Sequence, residues 1–209
     1  MNKLRHTFQA QCADPRGLGG WLAGRMMLHR PADRARARWA VSLLELDARD
    51  HVLDVGFGPG YSTALIAARV TAGVVVGVDR SELMFSMAQR RLKRELAMRR
   101  VTLVCADAAE LPRFDVSFDK VAAIDALDLT DPQPLLKGLH ARMSPGGRIA
   151  VICQPHEREG HASAAQRMAV LLAARLEAGG FQRPYAHFHG SAGRTAVGVV
   201  ARAAQESAA

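Results

Sequence analysis

The sequence predicts an α/β protein: a doubly wound, seven-stranded, mostly parallel sheet that closes with an antiparallel hairpin. Three observations predict it. Short Val- and Ile-rich runs recur from residue 51 onward and end in Asp or Gly, as strands buried on both faces do. Longer amphipathic stretches separate these runs, which implies helices in right-handed crossovers. The last two apolar runs have only a loop between them, which suits antiparallel pairing.

Each element follows in order. Gly17–Leu28 reads as a loop and a short apolar helix that Pro31 breaks. Ala32–Leu46 reads as a second helix, with Trp39, Leu43 and Leu46 at helical spacing. Strands are expected at His51–Val55, Val74–Asp79, Val101–Ala106, Lys120–Ile124 and Arg148–Cys153, with helices at Tyr61–Val70, Glu82–Met98, Gln133–Met143 and His161–Ala178. Ser81 is a natural N-cap with Glu82 in the first turn. Ser144-Pro-Gly-Gly147 is expected to stop one helix before the next strand. Phe181–Phe188 and Thr195–Ala201 supply the closing hairpin after Gly179-Gly180. The chain is therefore read as residues 1–50, a helical segment covering the site, and residues 51–209, the core.

With 209 residues, 49% of them hydrophobic, one domain with a substantial core is expected and low-complexity disorder is excluded. No apolar run approaches the ~20 residues that span a bilayer. The N-terminus shows no apolar signal region, and Cys12, Cys105 and Cys153 make neither a metal-ligand pattern nor a disulfide framework. A reducing cytoplasm is expected.

The net charge of +8 first suggests an anionic partner. Residues 1–40 carry eight Lys/Arg against Asp14 and Asp33, which leaves only +2 for the other 169 residues. Charge thus belongs mainly to the N-terminal segment. Within Arg34-Ala-Arg-Ala-Arg38, only Arg34 and Arg38 share a helix face, so the run is a poor nucleic-acid stripe.

Val52-Leu-Asp-Val-Gly-Phe-Gly-Pro-Gly60 carries the chemistry: a strand that ends in a glycine-rich turn and opens a helix. Such a turn lets backbone approach a ligand at the carboxyl end of a strand. Asp79 ends the next strand, 19 residues after Gly60, where a carboxylate can accept hydrogen bonds from vicinal ribose hydroxyls. The glycine spacing (56, 58, 60, then Tyr61) departs from the dinucleotide fingerprint, and no phosphate-binding G-x-x-x-x-G-K-[ST] occurs. Asp54, two residues before the first glycine, would repel a pyrophosphate but stabilise an ammonium or sulfonium. That favours S-adenosylmethionine over a nicotinamide cofactor.

In these motifs the chain resembles the class I S-adenosylmethionine-dependent methyltransferases. VLDVGFGPG resembles the family's first motif and VVVGVDRS, which contains Asp79 and Arg80, the second. CADAAELP (Cys105–Pro112) resembles the third, FDKVAAIDALDL (Phe118–Leu129) the fourth strand, and LHARMSPGGRIAVI (Leu139–Ile152) the helix and strand that follow. The resemblance implies a Rossmann-like fold and S-adenosyl-L-methionine as cofactor, with S-adenosyl-L-homocysteine as product. It implies cofactor contacts from Asp54, Gly56, Gly58, Gly60, Asp79, Arg80, Asp107, Ala108 and Asp125, with Asp107 and Ala108 on the adenine.

Methyl transfer needs alignment more than acid–base chemistry, because the donor is already activated. Asp125 and His156 are the catalytic candidates, beside Asp128 and Glu157; each could equally be a turn or loop residue. Asp125 and Asp128 alone do not make a metal site, and none is expected. Trp21, Met26, Met27 and Trp39 are expected to line or close the pocket, and Met84, Met87 and Met98 to pack in the core. The acceptor is expected to be a small molecule, and an anionic one would suit the charged segment. An RNA- or protein-directed enzyme, or a lipid-headgroup enzyme making peripheral membrane contact through Trp21–Arg30, are the alternatives. The sequence leaves the acceptor atom and the oligomeric state open.

Overall fold

A computed structural model describes residues 30–108, 111, 113–127, 131–155, 161–191 and 194–204. The expected helix Gly17–Leu28 lies outside the described residues, as do Asp128, His156 and Glu157.

The elements in chain order are α1 (Pro31–Ser42), β1 (His51–Val55), α2 (Tyr61–Ala67), β2 (Val74–Asp79), α3 (Glu82–Arg91), α4 (Lys93–Ala97), β3 (Val101–Cys105), β4 (Phe118–Ile124), α5 (Gln133–His140), β5 (Met143–Cys153), α6 (His161–Ala178), β6 (Phe181–Ser191) and β7 (Arg194–Ala203). They build one seven-stranded sheet in the order β3-β2-β1-β4-β5-β7-β6. β1 pairs in parallel with β2 and with β4, while β7 pairs antiparallel with both β5 and β6. The expected α/β class and closing hairpin are both present. The strand order reverses between β1 and β4, and a crevice opens at that point beyond the carboxyl ends of the strands.

Helices cover both faces of the sheet. One core packs Leu53, Val55, Phe118 and Val121 of the sheet with Leu136, Leu139, Leu172 and Leu176 of α5 and α6. The other packs Val52, Val75, Ala122 and Ile152 with Val41 and Leu44 at the end of α1, Ile66 of α2 and Leu92. Strands buried on both sides explain why their sequences are apolar runs rather than alternations.

Several element ends shift by up to three residues, and four further differences have a physical reason. Pro31 is not only a breaker: it is the first residue of α1, where its missing N–H costs nothing. α1 ends at Ser42 rather than Leu46, and Glu45 turns the chain with φ of 53°. The stretch expected as a single helix, Glu82–Met98, bends at fully buried Leu92 (φ −97°, ψ 19°), which the core holds in place. Met143 is strand rather than helix. The Ser144–Gly147 segment enters β5 as an irregularity, since Phe118 pairs with Met143 while Lys120 pairs with Arg148. Ser81 caps α3 as expected, its Oγ accepting from the Met84 N–H at 3.3 Å.

Candidate active site

A cavity of about 740 Å³ occupies the crevice, lined by the β1–α2 turn, the ends of β2 and β4, and one side of α1. Its volume lies in the usual range for small-molecule sites.

The floor is the turn Gly56–Gly60. Gly56, Gly58 and Gly60 all have left-handed backbone, with φ of 68°, 54° and 80°. At Gly56 the reason is packing as well as conformation, because a Cβ there would stand 2.4 Å from the Ala126 Cβ. At Gly58 a Cβ would meet nothing within 4 Å, so that position faces open space. The turn is braced by Asp79: one carboxylate oxygen accepts from the Gly58 N–H at 2.8 Å, the other from the Ser81 N–H at 2.9 Å. Burial pushes the Asp79 carboxyl above its ordinary value, against these hydrogen bonds.

Asp54 lies beneath the turn and is 1% exposed. One of its oxygens accepts from the Ser62 and Thr63 hydroxyls at 2.8 and 2.7 Å. The other is buried without a hydrogen-bond partner. Burial pushes its pKa up to about 6, and the two hydroxyls and the nearby Asp79 charge modify that value. Asp54 is not itself among the residues that line the cavity, whereas its partner Ser62 is.

On the far wall, Asp125 follows β4 with a left-handed backbone (φ 52°), held by its N–H donating to the Ile152 carbonyl at 2.8 Å. Its carboxylate accepts from the Gln154 N–H at 3.1 Å and meets Arg36 of α1 at 2.8 Å. Arg36 also donates to the Gln154 side chain at 2.6 Å and approaches Asp33 at 3.3 Å. The pairing ties α1 to the end of β4. Cys153 is buried beside this network, and its thiol is pushed up to about 12 by burial and by the Asp125 charge.

Asp79, Arg80, Asp107, Ala108, Asp125 and the three glycines of the turn are brought together here: all but Gly60 line this one cavity, and Gly60 closes the turn behind it. Among the described residues, none forms a His/Cys/Asp/Glu group able to hold a metal ion. Trp39 does not line the cavity; it stacks on His189 of β6, ring centroids 5.1 Å apart. Trp21, Met26 and Met27 lie outside the described residues. Met84 is in the core as expected but also lines the cavity, and Met98 is 54% exposed rather than buried. Sequence reasoning missed Arg36 and Asp33 as site residues. Their only signal was a charged pair at i and i+3 on a helix expected to cover the site.

A family model described as "Methyltransferase domain" matches residues 52–147, the stretch that builds most of this crevice. The matched stretch contains the glycine turn and Asp79, the motifs by which the chain resembles the class I S-adenosylmethionine-dependent methyltransferases. Among curated relatives, this chain is 35% identical over 136 residues to a trans-aconitate 2-methyltransferase of Variovorax paradoxus, covering 63% of this chain and 50% of that one. It is 40% identical over 108 residues to a demethylmenaquinone methyltransferase of Clavibacter sepedonicus, covering 51% and 42%. The chain thus spans half or less of these two relatives' length. Among solved structures, the N-methyltransferase NodS of Bradyrhizobium japonicum WM9, in complex with S-adenosylhomocysteine, superposes with a TM-score of 0.66 at 14% identity, covering 95% of this chain and 97% of NodS. That likeness is one of fold.

The residues of the cavity wall fit S-adenosylmethionine, the cofactor that the sequence motifs imply. The unpartnered Asp54 oxygen is an acceptor left beneath the glycine turn, suited to a cation. The open space over Gly58 admits a ligand against backbone. Asp79 keeps lone pairs beyond its two amide bonds, available to ribose hydroxyls.

Proposed function

We propose that this protein transfers a methyl group from S-adenosylmethionine to a small-molecule acceptor held between the end of β4 and α1. The observation that carries the proposal is the convergence on one cavity of the left-handed glycine turn, Asp79 and Asp125. When bound, the cofactor supplies a methyl group already activated on a sulfonium.

The chain's residues then have separable tasks. Asp79 takes the ribose hydroxyls, with Arg80 beside it, and Asp107 and Ala108 border the adenine. The turn Gly56–Gly60 lets the amino-acid portion lie against backbone, and Asp54 beneath it provides a countercharge. Asp125 faces the reacting centre; with both oxygens engaged, it suits orienting an acceptor better than removing its proton. His156 remains a candidate contact outside the described residues. Residues 1–50, of which α1 is described, form the cover.

A small acceptor is supported by the cavity's size and by relatives whose names specify trans-aconitate and demethylmenaquinone. The basic N-terminal segment favours an anionic one. No described helix is long and apolar enough to cross a membrane; the free thiols at Cys105 and Cys153 suit a reducing cytoplasm.

The test is calorimetric titration with S-adenosylhomocysteine, followed by radiolabelled methyl transfer to a panel of small carboxylates and quinols. One site per chain is expected, weakened at least tenfold by Asp79→Ala, with transfer to one acceptor class. Failure of the wild-type protein to bind the product would overturn the proposal.

A further inference from the structure

Tyr61, which lines the cavity, is surrounded by arginines from two helices. The guanidinium carbons of Arg34 (α1) and Arg91 (α3) lie 5.7 and 5.9 Å from its ring centroid. Arg38 of α1 donates to its hydroxyl at 3.1 Å. Three cations thus gather on one half-buried phenol that is itself part of the cavity wall. Among the described residues, neither Arg38 nor Arg91 pairs with a carboxylate. Burial and the neighbouring Arg34 charge push the Arg91 pKa down, the mark of positive charges crowded together.

Packing alone does not account for this. Cation–π contacts at exposed sites are weak, and bringing like charges together opposes them. An anion placed between Arg38 and Arg91 would accept charge-assisted hydrogen bonds, for which arginine's planar fork is well shaped.

We infer that Arg38 and Arg91, with Arg34 and the Tyr61 platform, form the site that binds an anionic group (carboxylate or phosphate) of the methyl acceptor. The inference rests on the methyl-transfer reading above and adds the acceptor's charge and attachment point. Arg34 and Arg38 share one face of α1, while Arg36 leaves the helix elsewhere to meet Asp125. Tyr61 belongs to the wall of the same cavity as Asp125, so one small acceptor can meet both.

The test uses the full chain saturated with S-adenosylhomocysteine and titrated at low salt with citrate and with inorganic phosphate. Wild-type protein is expected to bind citrate, with phosphate weaker. R38Q/R91Q is expected to lose at least tenfold in citrate affinity, and Tyr61→Phe about threefold, through the lost Arg38 anchor. Affinity for S-adenosylhomocysteine should stay within twofold in R38Q/R91Q. Equal citrate binding by wild type and R38Q/R91Q would overturn the inference. So would a parallel loss of S-adenosylhomocysteine affinity, which would assign the cluster to the cofactor's own carboxylate. A single-stranded oligoribonucleotide binding tenfold more tightly than citrate, in an Arg38- and Arg91-dependent manner, would overturn it in favour of a polymer. Absence of S-adenosylhomocysteine binding by wild type is a different result: it removes the underlying methyl-transfer reading.

Discussion

Asp54 shows how a single residue sets a pH dependence. Its carboxyl holds a proton up to about pH 6 in the folded chain, against an ordinary value of 3.8. Between those values the folded state binds more protons than the unfolded one, so stability falls as pH rises and the loss is complete above about pH 6. Every tenfold difference in proton affinity between the two states corresponds to ~1.4 kcal/mol. Asp54→Asn keeps an oxygen for Ser62 and Thr63 while removing the buried charge. It is expected to stabilise the ligand-free protein by about 1–3 kcal/mol at pH 7.5, measured by urea unfolding, and to leave stability flatter between pH 4 and 6. The same change should weaken S-adenosylhomocysteine binding at pH 7.5, because the ligand's ammonium loses its countercharge. Unchanged affinity would remove Asp54 from the cofactor site.

The glycines of the turn differ from one another at this scale. Gly58→Ala meets no neighbour and carries only the cost of left-handed backbone, ~1 kcal/mol, while its methyl enters open space. Gly56→Ala adds a 2.4 Å approach to Ala126. G58A is therefore expected to fold nearly as well as wild type yet bind S-adenosylhomocysteine more weakly. G56A is expected to unfold at clearly lower urea concentration. Three closely spaced glycines were legible in the sequence. Their different reasons were not, because Ala126 lies 70 residues away along the chain and meets Gly56 only when β1 and β4 pair.

α1 is the element on which the proposed covering role turns. Its C-terminal end is fastened by Arg148, which donates to the Leu43 carbonyl at 2.7 Å and to Glu45 at 2.6 Å, and by Lys120, which donates to the Glu45 carbonyl at 3.1 Å. Its middle is fastened by Arg36 on Asp125 and by Trp39 against β6 and β7. Trp39 reaches that position because Gly198 leaves room: a Cβ there would stand 2.9 Å from both the indole and Leu43. Gly198→Val is expected to lift α1 while the sheet persists. Amide hydrogen exchange should then quicken at residues 31–42 at least tenfold, with β1 and β4 little changed. Equal protection of α1 in the variant would show that Trp39 packing does not hold the cover. The sequence indicated a helix here and Trp39 at core-facing spacing. It did not indicate which surface the indole meets, because a helical stripe specifies a buried face and not the partner that buries it.

At the scale of the whole molecule, charge is divided: residues 1–40 are basic in sequence, while the cavity that α1 borders contains Asp33, Asp79, Asp107, Asp125 and Asp131. An acidic interior suits a cationic donor, and a basic N-terminal sequence suits an anionic acceptor. If residues 1–30 complete the cover, deleting them removes transfer but not the core, since α1 begins at Pro31. The truncated protein is expected to unfold cooperatively and to bind S-adenosylhomocysteine within about threefold of wild type, with methyl transfer lost. Undiminished turnover would remove the covering role from this segment.

The sequence by itself determined the α/β class, the positions of nearly all strands, the glycine turn and Asp79. These depend on local rules: period, turn chemistry and the burial of strands on both faces. The tertiary structure alone decided that β7 inserts between β5 and β6, that Arg36 reaches Asp125, and that Arg34, Arg38 and Arg91 converge on Tyr61. Each of these joins residues far apart in the chain. The long-range packing of helices on the sheet, which no local pattern encodes, is the physical cause that brings them together.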